Sequence, residues 1–293
     1  MTDNFTPEKN STPQKMSLEE WKAMKDQERS DLYKLLDQAT RDLTETPGCL
    51  ERYLNTQARM NRYTVTNALL LSAQLPEATQ LKTFSEWEKE DVKIKKGAKS
   101  ISILEPSEYK KSDGSTALVY NVKKVFDVSQ TTKEDNAGTF NPPEMKELIA
   151  AMLDTCPVSI DLATEIPVQN TAAYFDKNQN TLYVQKEGGD AEYICQCVAR
   201  ELGQVQASLK DNDYERSTSF ADAVLTGYLV CRRYGAPTSA MDINRAASKF
   251  KGMTPKEIRD ELSKVRSYTN DINKRLYDQL YPQRKSHSRD TAR

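Results

Sequence analysis

The chain contains almost no histidine. Its single histidine, His287, lies in the terminal stretch PQRKSHSRDTAR of a sequence of 293 residues. Catalysis by a Ser-His or Cys-His couple, and metal binding by a pair of histidines, require imidazole groups inside a folded core. The sequence therefore argues against all three kinds of active site.

Long apolar runs, a secretion signal and paired cysteines are also missing. No run approaches the ~18–20 apolar residues that a membrane-spanning helix needs. The N-terminal stretch MTDNFTPEKNSTPQK has no apolar segment of the kind that secretion signals contain. An odd and scattered set of cysteines suits reduced thiols, and the five are Cys49, Cys156, Cys195, Cys197 and Cys231. We therefore expect a cytoplasmic protein that does not bind membranes.

An excess of one charge is absent as well. The 42 Lys and Arg residues are balanced by 43 Asp and Glu residues, so the net charge is −1. No field of the whole molecule attracts nucleic acid, and any such binding must come from a local basic surface. A nucleotide-binding phosphate loop is also excluded, because no Gly-rich turn is followed by Lys-Ser or Lys-Thr.

The hydrophobic periodicity predicts an α+β protein of two domains. Helical patterns with a Ser17 cap and a Glu20 partner open the first half, and alternating β-branched residues follow them. The second half again combines short strands, including a hairpin over AAYFDKNQNTLYV, with a cluster of helices. The predicted organisation is a disordered tail (1–16), a first domain of helices and a small antiparallel sheet (17–128), a linker (129–142), a second domain with a small sheet and a helical cluster (143–281) and a basic tail (282–293).

Cations and aromatic residues alternate between Arg59 and Lys124. Single-stranded nucleic acid needs both kinds of side chain, because cations track phosphates and flat rings stack on bases. Three lysines surround Gly97, whose freedom at positive φ lets a turn approach a ligand closely. An alternative interpretation is a solvated strand edge, in which lysines only prevent aggregation.

The stretch RYLNTQARMNRYTVTNALLLSAQLPEATQLKTFSEWEKEDVKIKKGAKSISILEP resembles the N-terminal domain of ArdC-type antirestriction proteins. The matching features are an Arg-Tyr pair before Asn67-Ala-Leu-Leu-Leu, then Thr83-Phe84 and Trp87, and a lysine-glycine turn before a strand. Ala98 and Ser100 depart from the Glu and Gly that are usual in this turn. The resemblance covers residues 50–128 and implies a single-stranded DNA-binding domain carried by conjugative plasmids, integrative elements or phages.

The same resemblance implies two walls of a DNA site. One wall would contain Arg59, Arg62, Tyr63 and Asn67, and the other would contain Lys95, Lys96 and Lys99. Trp87 is a further candidate for stacking on a base. Its helical spacing from Phe84 also fits an alternative in which the indole lies in the core.

The segment CVARELGQVQAS has the spacing of a zinc-peptidase helix without its metal ligands. Such a helix carries two histidines four residues apart, and a glutamate after the first acts as general base. Here Glu201 is present, but Arg200 and Gln204 stand at the two ligand positions. Arginine has no lone pair to offer, so we expect no bound metal, no cofactor and no peptidase activity. An active metallopeptidase is the alternative, and it would contain zinc.

The second half resembles the peptidase domain of ArdC-type and LtrC-type proteins of mobile elements. The segments AAYFDKNQNTLYVQ, YICQCVARELGQVQ and SFADAVLTGYLVCRRYGAPTS follow in the same order, and the match covers residues 143–280. It implies a zincin-like fold in which the third-ligand glutamate is replaced by Asp222. We hypothesise that Arg200 bridges Asp222, together with Glu201, in place of the metal. The alternative is an Arg200 side chain that faces solvent.

The expected function is single-stranded DNA binding by a protein of a bacterial mobile element or phage. The resemblance implies antirestriction or the protection and handling of transferred single-stranded DNA, beside an inactive metallopeptidase-like domain. The alternative is an interaction module that acts on a host nuclease or a conjugation factor without touching DNA. The basic tail is interpreted either as a second DNA contact or as a frayed helix end, and its cations are Arg284, Lys285, Arg289 and Arg293. No feature of the sequence predicts an oligomeric state.

Overall fold

The structure is a computed structural model that describes residues 16–111, 113–133 and 141–282. Helices and two small sheets make up these residues, which confirms the α+β class. None of the helices in the described ranges has the length and apolar character needed to cross a membrane. The predicted N-terminal tail (except Met16), half of the predicted linker (134–140) and the four tail cations lie outside the described residues.

The first half consists of a long helix, shorter helices and a three-stranded antiparallel sheet. The long helix begins after Ser17, whose hydroxyl accepts a hydrogen bond from the Glu20 N–H at 3.1 Å, while the Glu20 carboxylate accepts one from the Ser17 N–H at 2.8 Å. This is the capping box that the sequence predicts. The strands are arranged in the order β1-β3-β2. The elements are α1 (Leu18–Glu45), α2 (Cys49–Arg59), α3 (Val65–Gln74), β1 (Leu81–Lys82), α4 (Phe84–Glu88), β2 (Ile101–Lys110) and β3 (Thr116–Asp127).

Strands β2 and β3 form a long hairpin that leaves the core at its far end. Ile101 pairs with Val125 at the base, and both side chains are buried. Near the turn, Tyr109 pairs with Ala117, and the Tyr109 side chain is 48% exposed. Gly114 occupies the predicted turn with φ of 83°, a conformation that glycine adopts without strain.

The segment VKIKKGAKS (92–100), which precedes β2, alternates in polarity as a strand would, but it does not form a strand. Only Ile94 makes an isolated bridge, to Thr131, and regular pairing starts at Ile101. Gly97 has φ of 84° and turns the chain there. Because the Lys95 N–H donates to the Gln130 carbonyl at 2.8 Å, the loop after β3 satisfies this backbone instead of a neighbouring strand.

The second half places a three-stranded mixed sheet against helices. Strand β6 lies in the centre, parallel to β4 and antiparallel to β5. The predicted hairpin between β5 and β6 is present, and Asn180 closes its turn with φ of 50°. The elements are α5 (Met145–Asp154), β4 (Ser159–Ala163), β5 (Ala173–Asp176), β6 (Thr181–Gln185), α6 (Ala191–Lys210), α7 (Phe220–Arg233), α8 (Ile243–Ala247) and α9 (Pro255–Leu280).

Helices α6 and α7 cross at two glycines that allow their backbones to touch. A Cβ atom on Gly203 would lie 2.7 Å from the Ala223 Cα, and one on Gly227 would lie 2.8 Å from the Arg200 Cα. Such distances are too short for any side chain at either position. The crossing therefore fixes the depth at which α6 presents Arg200 and Glu201.

A single hydrophobic core joins the two halves of the chain. Leu36 and Leu54 from the first half belong to the same buried cluster as Val198 and Leu276 from the second. Polar contacts cross the same boundary: Arg259 of α9 donates to Asp37 of α1 at 2.7 Å, and the Tyr228 hydroxyl lies 3.0 Å from the Asn55 amide oxygen. Helix α9 thus packs against helices at the opposite end of the sequence.

Candidate functional site

Glu201 of α6 lies in the middle of a buried ionic cluster. Its side chain is fully buried, and the Arg216 guanidinium donates to both carboxylate oxygens at 2.7 and 2.8 Å. The Phe175 N–H of β5 donates to Oε2 at 3.0 Å, and Arg200 Nε donates to Oε1 at 3.2 Å. The carboxylate therefore has its oxygens satisfied by charge-assisted hydrogen bonds.

Arg216 is a central residue of the site that the sequence does not reveal. It lies in the loop between α6 and α7, and its guanidinium stacks 4.5 Å from the centre of the Tyr174 ring. Burial alone would lower the Arg216 pKa, but the hydrogen bond and charge of Glu201 outweigh burial and raise it above its ordinary value. The guanidinium is therefore always charged. Hydrophobic periodicity cannot point to Arg216, because a loop has no regular helix or strand face.

Arg200 does not make the ion pair with Asp222 that the sequence suggests. Besides Glu201, its guanidinium contacts the Thr171 hydroxyl, with Nη2 at 2.9 Å from Oγ1. No oxygen of Asp222 lies within 4 Å of it. The hypothesis of an Arg200–Asp222 bridge is wrong because other cations already neutralise Asp222. Arg200 does pair with Glu201, the second partner named in that hypothesis.

Two lysines neutralise Asp222 from the helices that follow α7. The Asp222 side chain is almost completely buried, with Lys249 Nζ 2.6 Å from Oδ1 and Lys264 Nζ 2.9 Å from Oδ2. The second contact is an ion pair without hydrogen-bond alignment. Burial opposes the charge on Lys264, yet Asp222 raises the Lys264 pKa above its usual value. Neither lysine stands at a spacing from Asp222 that a sequence pattern could identify.

Gln204 is held by neutral groups. Its amide is buried, accepts a hydrogen bond from the Tyr214 hydroxyl at 3.0 Å and donates to the Arg216 carbonyl at 3.4 Å. Burial raises the pKa of Tyr214 to about 12, so this hydroxyl keeps its proton and remains a donor at neutral pH. Gln204 therefore supports the loop that carries Arg216.

These side chains do not fit a divalent cation. In the ranges that the structure describes, no three His, Cys, Asp or Glu side chains come close enough to hold a metal ion. The two carboxylates at the site, Glu201 and Asp222, already face guanidinium and ammonium groups. A metal ion would have to displace these fixed cations, and Arg200 supplies no lone pair in return.

An open cleft of about 920 Å³ lies above this cluster. We call it the cationic cleft, because four of its lining side chains are cations and only Glu215 is an acid. The loop before α7, the start of α7 and the segment around α8 form its walls. Its lining residues are Arg200, Gln204, Glu215, Arg216, Ser217, Thr218, Phe220, Ala221, Arg245, Ser248 and Lys249.

In the first half, the lysine turn is exposed and has no acidic partners. The side chains of Lys95, Lys96 and Lys99 are exposed, and none lies within 4 Å of a carboxylate in the described ranges. Lys95 Nζ donates to the Ser129 carbonyl at 2.8 Å, which fixes that side chain over the loop. By contrast, Lys123 on β3 is neutralised by Glu105 at 2.6 Å.

Arg62 and Tyr63 lie on the surface beside the base of the hairpin. Arg62 is exposed, and Tyr63 is half-buried against the small cluster that contains Ile101 and Val125. Burial raises the pKa of Tyr63 above its usual value, so the ring is neutral at physiological pH. The structure thus brings Tyr63 next to β2, the strand into which the lysine turn leads.

The other three candidates for DNA contact donate hydrogen bonds to backbone carbonyls, and they are Arg59, Asn67 and Trp87. Arg59 donates to the Ala78 carbonyl at 2.9 Å and also to the Pro76 carbonyl. Asn67 is 8% exposed, and its amide exchanges two hydrogen bonds of 2.9 Å with the backbone of Leu104.

Trp87 is completely buried and donates through Nε1 to the Phe126 carbonyl at 2.9 Å. The core alternative for Trp87 is the arrangement observed. Asn67 and Trp87 are therefore too buried to contact a strand at the surface, whereas Arg59 is partly exposed and bonded to backbone carbonyls.

Alternation along the hairpin adds residues to the face that carries Tyr63. Tyr109 and Lys123 share the side of the hairpin on which Ile101 and Val125 lie, because register partners and every second residue point the same way. The Tyr63 phenol feels the charge of Lys123. Glu105 lies on the same face and neutralises Lys123, so beyond the buried base this face carries an ion pair and, near the turn, the exposed Tyr109 ring.

The helices and small antiparallel sheet of the first half have a counterpart among known protein domains. Residues 30–142 match the family model for the N-terminal domain of the anti-restriction factor ArdC. These residues, somewhat more than a third of the chain, are therefore similar to that domain. No curated protein sequence gives a significant match.

Two crystal structures of the antirestriction ArdC protein from plasmid R388 share the fold of nearly the whole chain. The metal-free structure aligns with a TM-score of 0.57 at 15% identity and covers 84% of this chain and 97% of that one. The Mn(II)-bound structure aligns with a TM-score of 0.57 at 14% identity and covers 85% and 98%, respectively. At this identity, the likeness concerns the fold.

Proposed function

We propose that the protein binds single-stranded DNA and acts in antirestriction, in the cytoplasm of a bacterium that carries a mobile element or phage. The observation that carries this proposal is the match of residues 30–142 to the ArdC N-terminal domain. The shared fold with an antirestriction protein of a plasmid supports it. The protected substrate would be the strand that enters a cell during transfer.

The DNA-binding face that we propose comprises Arg62, Tyr63, Lys95, Lys96 and Lys99. Four unpaired cations can replace the counterions of a phosphate backbone, and Tyr63 offers a ring for stacking. A stacked base contributes about 1–3 kcal/mol, so Tyr63 would add binding that salt does not screen. Arg59, Asn67 and Trp87 would hold the scaffold of this face and not touch the strand.

For the second half we propose a structural role without peptidase activity. Support comes from the ionic cluster, in which Glu201 is bound by Arg216 and Arg200 and cannot act as a free general base. Arg200 and Gln204 do not supply the ligands of a zinc site. Glu201 and Asp222 would thus be retained as acceptors for cations of the chain itself.

The proposal is tested by measuring the binding of labelled single- and double-stranded oligonucleotides to the full chain by fluorescence anisotropy. We expect a preference for the single strand and an affinity that falls steeply with salt. Changing Lys95, Lys96 and Lys99 together to glutamate should remove most binding and lower the slope of log K against log salt by about 2.

The matched control changes Lys146, Lys186 and Lys274 to glutamate, since these exposed lysines of the second half make no ion pair in the described ranges. This variant should bind like the unchanged chain. Equal losses in both triple variants would show that only net charge matters. No binding by the unchanged chain would contradict the proposal and favour the alternative, an interaction with a host or element-encoded protein.

A further inference from the structure

The cationic cleft contains donors that the ionic cluster does not use. Arg245 stacks on the Phe220 ring at 4.4 Å, and no carboxylate lies within 4 Å of its guanidinium in the ranges described. Arg200 directs Nε to Glu201 and Nη2 to Thr171, which leaves Nη1 unbonded within the same ranges. The cleft therefore presents N–H groups to solvent from two guanidinium groups at once.

The start of α7 adds backbone donors to the same cleft. This helix of 14 residues begins after Ser219, whose side chain makes no capping hydrogen bond. Phe220 and Ala221, the first two residues of the helix, line the cleft. The Phe220 N–H already bonds the Ser217 carbonyl at 3.4 Å, so the N–H groups that follow it are the donors at this end, where the partial positive charge of a helix N-terminus favours an anion.

The chemistry of these donors matches a phosphate group better than a carboxylate. A planar carboxylate offers only two oxygens, and one forked guanidinium can engage both of them. Two guanidinium groups, a helix N-terminus and the Ser217 hydroxyl surround a common space and suit an anion with more than two oxygens. The open mouth and the volume of about 920 Å³ leave room for the group to which the phosphate is attached.

We propose that the cationic cleft binds a phosphate group. The cleft lies beside the part of α6 that has the spacing of a zinc-peptidase helix without its metal ligands. The phosphate could belong to the end of a DNA strand or to a small phosphorylated molecule, and both present the same oxygens. Arg245 and Arg200 donate to it, and the N–H groups of α7 that follow Phe220 orient it. This site is separate from the lysine turn and does not require the DNA-binding face.

The test is titration of the full chain with inorganic phosphate by isothermal calorimetry, in chloride buffer of constant ionic strength. We expect saturable binding that Arg245→Gln weakens about tenfold, as one lost charged hydrogen bond predicts. Arg232→Gln, the same change at an exposed arginine at the far end of α7, should leave binding unchanged. Glu215→Gln removes the one acid of the cleft and should tighten binding, a gain that no folding defect can produce.

The source of the phosphate is identified with the lysine-turn triple variant, in which the proposed DNA-binding face is weakened. Tighter binding of a 5′-phosphorylated than of a 5′-hydroxyl oligonucleotide, reversed by inorganic phosphate, would assign the site to strand ends. Equal binding of both oligonucleotides would assign it to small phosphorylated molecules. The proposal is overturned if phosphate produces no saturable heat, or if Arg245→Gln binds phosphate as the unchanged chain does.

Discussion

At the scale of single residues, the molecule pairs two buried carboxylates with its own cations. Glu201 and Asp222 are both nearly or completely inaccessible to solvent, and each contacts two cationic side chains. A buried carboxylate without a partner would cost several kcal/mol. The second half therefore needs these four cations in order to fold stably.

Removing the Glu201 charge should destabilise the protein strongly. Glu201→Gln places an amide N–H₂ against two guanidinium groups and leaves both cations without a counterion. We expect the free energy of unfolding to fall by about 3 kcal/mol, at the lower end for a broken buried pair because Arg216 stays partly exposed. Urea denaturation followed by far-UV circular dichroism measures this loss.

Glu215→Gln is the matched control for that change. Glu215 is an exposed glutamate of the same region and makes no ion pair in the described ranges, so its loss should change the free energy of unfolding by less than about 0.5 kcal/mol. Similar stabilities for the two variants would refute the structural role of the Glu201 cluster.

The residue types at the site could be predicted from the sequence, but their pairing could not. Arg200 and Gln204 lie four residues apart on α6, so their position on one side of the helix follows from spacing alone. The partners Arg216, Lys249 and Lys264 come from a loop and from segments far along the chain. Loop geometry and the approach of α9 decide these contacts, and neither leaves a periodic pattern.

At the scale of elements, the crossing of α6 and α7 depends on two glycines. Gly227→Ala would place a methyl group against the backbone of Arg200, which has no flexible end that could move aside. Overpacking of this kind costs about 1–3 kcal/mol, more than the up to about 1 kcal/mol of helix propensity that alanine adds. We expect a net loss of stability, measured as a lower midpoint of urea denaturation with an unchanged slope.

Gly189→Ala serves as the comparison for Gly227→Ala. Its new Cβ would meet side-chain atoms alone, Ile194 Cδ1 at 2.8 Å, Ile194 Cγ1 at 3.2 Å and Gln185 Oε1 at 3.4 Å, and these side chains can move aside. The Gly189 variant should therefore keep nearly all of its stability. A Gly227 variant as stable as the Gly189 variant would mean that the two helices can separate without cost.

The elements themselves were largely predictable from local patterns. The Ser17 capping box, the Asp113-Gly114 turn and the β5–β6 hairpin are where turn and cap residues indicate. The segment before β2 is the exception, since its alternation predicts a strand while the backbone bonds to the loop after β3. Alternation shows which faces differ in polarity, but it does not show which neighbour supplies the hydrogen bonds.

At the scale of the whole molecule, the shared core should make unfolding cooperative. Trp87, buried in the first half, reports on that half through its fluorescence, while circular dichroism is dominated by the helices, of which α6, α7 and α9 belong to the second. We expect both signals to change at the same urea concentration, because Leu36 and Leu276 belong to one buried cluster. Two separate transitions would instead support independent domains.

Helix α9 has a consequence for the order of events during synthesis. Its Arg259 and Leu276 complete contacts with α1 and with the cluster that contains Leu54, yet about 180 residues separate α9 from the end of α3. A ribosome that adds roughly 5–20 residues per second needs on the order of ten seconds or more to make that stretch. Throughout this interval the leucines of the nascent N-terminal helices lack the partners that α9 supplies, so we expect these helices to need protection from aggregation until synthesis is nearly finished.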